Sequence, residues 1–118
     1  FFGHTNHPVQ KLLDAGINVG LGTDSLASND TLSIIDEMKF LFLRHSISPN
    51  SLLTMATING AKALGLESKT GQIKEGLQAD LCGVGLPDAH DNNIFNQFLD
   101  ATSKNIFTMI AGAICYQT

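Results

Sequence analysis

Asp24 is the residue of this chain whose type and setting most suggest chemistry. It follows Ile17-Asn18-Val19-Gly20-Leu21-Gly22-Thr23, in which large aliphatics alternate with an amide and two glycines. A period of two predicts a strand. Counting by two from Asn18 through Gly20 and Gly22 puts the Asp24 carboxylate on the face opposite Ile17, Val19 and Leu21. If the aliphatic face packs on helices, the carboxylate points into a sheet interior or a barrel lumen, with Gly20 and Gly22 leaving room beneath it. The C-terminal end of a barrel strand is where barrel enzymes keep their catalytic groups. A carboxylate there can bind a hard or borderline cation through oxygen at about 2.0–2.2 Å, or take a proton from water. The simpler reading of Asp24-Ser25 is an Asx turn or cap between strand and helix.

The other reactive side chains carry less. His4 and His7 stand three apart before Pro8 with no neighbouring carboxylate or third histidine, which reads as a surface loop. His45 falls at the end of a helical pattern, where a cation suits the dipole, and His90 lies alone in a polar loop. Cys82 and Cys115 are 33 apart with no CxxC spacing. That argues against both a disulfide framework and a thiolate metal site, and both are expected as small buried hydrophobes in apolar strands. Gly20-Leu21-Gly22-Thr23-Asp24 has the spacing of neither a dinucleotide fingerprint nor a P-loop, and no G-x-S-x-G nucleophile elbow occurs.

Several elements must position Asp24. A short helix beginning at His7-Pro8-Val9 and stopped by Gly16 precedes the strand 17–23. A polar loop, Thr23 to Asp30, leads to a helix expected from Thr31 to Arg44, with Leu32, Ile35, Met38 and Phe42 on its buried face. Ser48-Pro49 opens a second helix, expected to stop at Gly65 and to bury Leu52, Leu53, Ala56 and Ala63 or their neighbours. Thereafter Gly71–Ile73 and Ala79–Val84 read as short strands around a turn at Gly76. Residues 87–93 read as a polar loop, 93–101 as a short helix, and 106–116 as a hairpin turning near Gly112.

Composition narrows the class. The chain has 118 residues, 43% of them hydrophobic and 15% charged, which fits a folded domain rather than a disordered tract. Seven basic against eleven acidic residues give a net charge of −4, and no two basic residues are adjacent. A nucleic-acid partner is therefore not expected. No apolar run reaches the roughly 18 residues of a membrane span, so no membrane partner is expected. The sequence opens with Phe1 and no targeting segment, and reads as a piece of a longer, cytoplasmic protein.

The segment Val19-Gly20-Leu21-Gly22-Thr23-Asp24-Ser25-Leu26-Ala27-Ser28-Asn29 closely resembles the strand-eight region of the amidohydrolase superfamily, in its cytosine-deaminase-like and chlorohydrolase-like branch. Two further blocks, Thr54–Gly65 and Gly71–Leu81, resemble that family's following helix and the lead into its C-terminal β-sandwich. The likeness runs through residues 8–84, and the form of the loop Ser25–Asn29 is most similar to aminofutalosine deaminases. It implies an α/β chain that is the C-terminal end of a metal-dependent (β/α)8 barrel. Residues 1–66 would supply the last βα unit, strand eight and the following helix, and residues 67–118 part of the β-sandwich.

The resemblance also implies one divalent metal ion, zinc or iron, with Asp24 as both metal ligand and proton carrier. Ser25, Ser28 and Asn29 would line the loop as candidates for substrate contact, although helix capping accounts for Ser28 or Asn29 equally well. Asp80 reads as structural. The remaining family ligands and the acid/base glutamate have no counterpart here, so the 118-residue chain is expected to be inactive without the remainder of its own chain. The activity implied is hydrolytic deamination of an aminopurine-type small molecule by a complete protein that is a homo-oligomer. The alternatives are hydrolysis at another leaving group, chloride or amide, and a non-catalytic interaction module.

Overall fold

Helix α1 (Val9–Asp14) begins right after Pro8 and is closed by Gly16, whose φ of +71° turns the chain so that the Ile17 amide reaches the Leu12 carbonyl at 3.0 Å. The computed structural model describes residues 7–86, 93–100 and 102–118. His4, His90 and most of the expected 87–93 loop lie outside these residues. After α1 the chain runs through residues 17–23 with no helical turn and no ladder partner among the described residues. The expected strand therefore has no neighbouring strand. Its hydrogen bonds go to helices instead, with the Leu21 amide donating to the Met55 carbonyl at 3.1 Å.

Helix α2 (Ile34–His45) starts later than the sequence suggested. Ser33 is its N-cap, with Oγ accepting from the Asp36 amide at 3.2 Å, so Thr31 and Leu32 stay outside and Leu32 is exposed. Asp36 and Glu37 in the first turn and Arg44 and His45 in the last suit the dipole. Ser46, in the left-handed region at φ 53°, ends it.

The helix expected from Ser48 to Gly65 is two helices, α3 (Pro49–Ala56) and α4 (Ile58–Ala63), broken at Thr57. Ser48 caps α3 as expected, accepting from the Ser51 amide at 3.2 Å. A continuous helix would direct the Met55 carbonyl to residue 59; here it faces Leu21. The break also shifts the buried face: Leu52 and Met55 are fully buried and Ala61 is buried, while Leu53 is 42% exposed and Ala63 is exposed.

Residues 71–73 form no strand: the chain bends at Gly71 and Gln72, and Ile73 is 92% exposed. Strands β1 (Leu81–Gly85), β2 (Lys104–Ile110) and β3 (Ala113–Gln117) make an antiparallel sheet in that order, with helix α5 (Ile94–Phe98) between β1 and β2. The hairpin turns at Ala111-Gly112, as the glycine predicted. Cys82 and Cys115 are exposed, contrary to expectation. The Cys82 thiol lies 3.3 Å from Asn105 Oδ1 and borders an open groove with Val84, Phe95 and Phe98, and Cys115 sits on edge strand β3, which is exposed along its whole length.

Val9, Met38, Ile47, Leu52, Met55 and Leu99 form the core, flanked by Leu13, Val19, Leu21, Ile34, Leu41, Phe42, Ala56 and Phe98. Lys39 Nζ donates to the Ser103 carbonyl at 2.9 Å and ties α2 to the start of β2. The accessible surface of 8328 Å² exceeds the roughly 6,000 Å² of a closed domain of this length, and Leu43, Leu64 and Ile73 are among the apolar side chains left open.

Candidate active site

Val19 and Leu21 pack against the core as the alternation predicted, but Ile17, expected on the same face, is 51% exposed. The opposite side is not simply open. Gly20 lies against α4 so closely that a Cβ there would sit 3.3 Å from Gly60 Cα, whereas one at Gly22 would meet nothing within 4 Å. The absent side chain of Gly20 thus serves backbone contact with α4, and only Gly22 leaves room near Asp24. Counting by two also ends at Thr23. Asp24 has φ 59°, in the left-handed region, so the direction of its exposed carboxylate is set by the turn and not by the pleat.

The turn is built by the residues that follow. The Ser28 and Asn29 amides both donate to the Ser25 carbonyl at 3.0 Å, a single helical turn. The Ser28 hydroxyl donates to Asp24 Oδ2 at 2.8 Å, the nearer of two acceptors in reach. Asn29 Nδ2 donates to the Thr23 carbonyl at 2.8 Å and to Glu37 Oε1 on α2. Neither Ser28 nor Asn29 caps α2, because Ser33 does. Of the three expected substrate-contact residues, Ser25 is the one whose hydroxyl keeps its hydrogen, its Oγ only accepting from the Ala27 amide at 3.4 Å. Glu37 was missed from sequence. An acid in the first turn of a helix already has a role with the dipole, and no spacing marks Asn29, eight residues earlier, as its partner.

Asp24 suits a cation as an oxygen donor: Oδ2 is oriented by Ser28, and no hydrogen bond is made to Oδ1 among the described residues. No group of three or more His, Cys, Asp or Glu gathers around it or elsewhere among those residues. A catalytic zinc site takes three protein ligands and an open position, and Asp24 alone could supply no more than one of them. His7 meets His45 edge-on, with ring centroids 6.4 Å apart, at the end of α2.

Asp80 is structural, as expected. Its Oδ1 accepts from the Ala111 amide at 2.7 Å, and this bond, with one from the Thr70 side chain, holds the carboxyl below the usual aspartate value. An apolar groove of about 390 Å³ lies between Leu53, Val84, Phe95 and Phe98 and includes Cys82, whose thiol is pushed up by burial.

Among relatives, the 5-methylthioadenosine/S-adenosylhomocysteine deaminase of Thermococcus onnurineus is 41% identical over 109 residues, which cover 83% of this chain and 25% of that protein. The 5'-deoxyadenosine deaminase of Methanosarcina barkeri is 48% identical over 91 residues, covering 70% and 21%. An adenosine deaminase from Xanthomonas campestris solved with bound zinc superposes with a TM-score of 0.85 at 28% identity, over 93% of this chain and 28% of that one. The atrazine chlorohydrolase of Arthrobacter aurescens TC1 complexed with zinc gives 0.77 at 27% identity, over 93% and 27%. The chain therefore spans about a quarter of the length of the curated relatives it matches. Residues 4–115 match the amidohydrolase family, beyond the 8–84 that carried the resemblance, and this chain belongs to that family.

Proposed function

We propose that this chain is part of a metal-dependent hydrolytic deaminase acting on a 5'-substituted adenosine. In this reading residues 1–66 are the last βα unit of a (β/α)8 barrel and residues 67–118 part of a C-terminal β-sandwich. The observation that carries it is the exposed Asp24 carboxylate, oriented at Oδ2 by Ser28 and open at Oδ1, at the end of a segment whose Val19 and Leu21 pack on helices. The names of the relatives move the substrate from the aminofutalosine type to adenosines altered at the 5' position. The excess open surface agrees with a chain whose remaining neighbours are elsewhere in the complete protein.

Asp24 Oδ1 would hold the divalent ion, zinc as in the two solved neighbours, or iron. When bound, such an ion lowers the pKa of water from 15.7 to about 7 and so supplies hydroxide at neutral pH. The Asp24 carboxylate would receive the proton of the attacking water and deliver it to the departing amine, so that water and an adenosine-type ring give the oxo ring and ammonia. Ser25, at the rim of the turn, would contact substrate, while Ser28 keeps Asp24 aimed. A cytoplasmic homo-oligomer is the companion expectation, checked by fractionation and native mass. Among the described residues no helix is long and apolar enough to cross a membrane.

The test is ammonia release by the full-length protein. Asp24→Ala is expected to lower kcat by about 10²–10⁴ without loss of fold; wild-type turnover by that variant would sink the reading. The chlorohydrolase neighbour keeps a second reading in play. Chloride release from a chlorotriazine, with no ammonia from 5'-deoxyadenosine, would favour it.

A further inference from the structure

Asn29 is bonded to the backbone that leads into Asp24. Its side-chain nitrogen carries two hydrogens, and both are engaged, one by the Thr23 carbonyl at 2.8 Å and one by Glu37 Oε1. The Thr23 carbonyl belongs to the peptide that leads into Asp24, so a bond to it fixes the plane from which the Asp24 side chain departs. That plane needs holding. Asp24 lies at φ 59°, where a Cβ crowds the following carbonyl, and such a conformation persists where its surroundings over-determine it.

Glu37 supplies the fixed point. It sits in the first turn of α2, its amide bonded to the Ser33 carbonyl at 3.2 Å, and its carboxylate is partly buried beside Asn29. A bond to an ionised acceptor is about twice as strong as a neutral one. The helix thus reaches Asp24 through Glu37, Asn29 and the Thr23 carbonyl. We propose that Asn29 and Glu37 are positioning residues, a pair that locks the Thr23–Asp24 peptide and so aims the carboxylate at its cation. This rests on the metal-ligand role given to Asp24 above. It differs from substrate contact through the Asn29 side-chain nitrogen, whose two hydrogens are already taken.

The experiment uses the full-length protein and reads zinc affinity against a competing chelator, alongside kcat and KM for 5'-deoxyadenosine. Asn29→Ala and Glu37→Ala are expected to weaken zinc binding and lower kcat by about 10–100-fold, the usual effect of losing a residue that orients a ligand, with KM unchanged. Glu37→Gln keeps an oxygen acceptor and is expected to recover most of the loss. Should Asn29→Ala fail to fold, the contrast between Glu37→Ala and Glu37→Gln makes the same decision. Wild-type zinc affinity in both alanine variants, with zinc lost from Asp24→Ala, overturns the positioning role alone. A raised KM in Asn29→Ala at unchanged kcat and zinc affinity makes Asn29 a substrate contact and overturns it too. Zinc retained by Asp24→Ala removes the assignment beneath it.

Discussion

The side-chain amide of Asn59 donates to the Val19 carbonyl at 3.0 Å, and one residue earlier Asn18 returns the bond to the Asn59 carbonyl, also at 3.0 Å. With the bond from Leu21 to Met55, these contacts take the place of a strand ladder for residues 17–23. They are possible because the helix breaks at Thr57, which turns the Met55 carbonyl and the first turn of α4 toward the segment that ends at Asp24.

Removing the Asn59 side chain should therefore loosen the approach to Asp24. Asn59→Ala loses one hydrogen bond and leaves the Val19 carbonyl without that donor, so it is expected to destabilise the protein by about 1–3 kcal/mol. Native-state hydrogen exchange should show the Leu21 amide opening faster, while amides in α2 keep their protection. An unchanged Leu21 exchange rate would mean that Asn59 does not hold the segment.

What was legible in the sequence followed short-range rules. Ser48-Pro49 states its helix start locally, the glycine at 112 marks its turn, and the alternation around Val19 and Leu21 places their side chains against helices. Three failures were failures of context. The pattern over 49–65 could not reveal the break at Thr57, because the Met55 carbonyl that it frees finds its donor in Leu21, more than thirty residues earlier. Cys82 and Cys115 read as core because apolar strands are usually covered, whereas edge strand β3 is exposed throughout and Cys82 borders an open groove. At the candidate site the identity of Asp24 was legible. Its direction was not, because the left-handed backbone at Asp24 and the Asn29–Glu37 pair depend on one another in three dimensions.

Asp80 makes acid stability depend on a loop contact. Its carboxyl is held below the ordinary value of 3.8 first by the Ala111 amide and then by Thr70. A lowered folded pKa contributes stability that is fully present above 3.8 and is lost as pH falls through the folded value. Asp80→Asn keeps an oxygen acceptor for Ala111 but cannot titrate. The stability gap between wild type and Asp80→Asn should hold constant from neutral pH to about 5 and close below 3.8. Asp100 shifts in the same direction through its bonds with Thr102, but both proteins share it and the difference cancels it. A gap that stays constant through pH 2–4 would show the contact to be independent of charge.

The same contact sits on a strained turn. Ala111 and Gly112 join β2 to β3 with φ of 49° and 83°, the mirror-image geometry that two-residue hairpins favour. Glycine adopts it freely at the second position, but alanine at the first carries the penalty of a Cβ in the left-handed region. Asn-Gly is the preferred pair for this turn, and an asparagine keeps the backbone amide that Asp80 accepts. Ala111→Asn is therefore expected to stabilise the protein by roughly 0.5–1 kcal/mol, within the range that compatible turn substitutions give, read as a higher denaturation midpoint at unchanged slope. A lower midpoint would mean that β2 and β3 do not close through this turn.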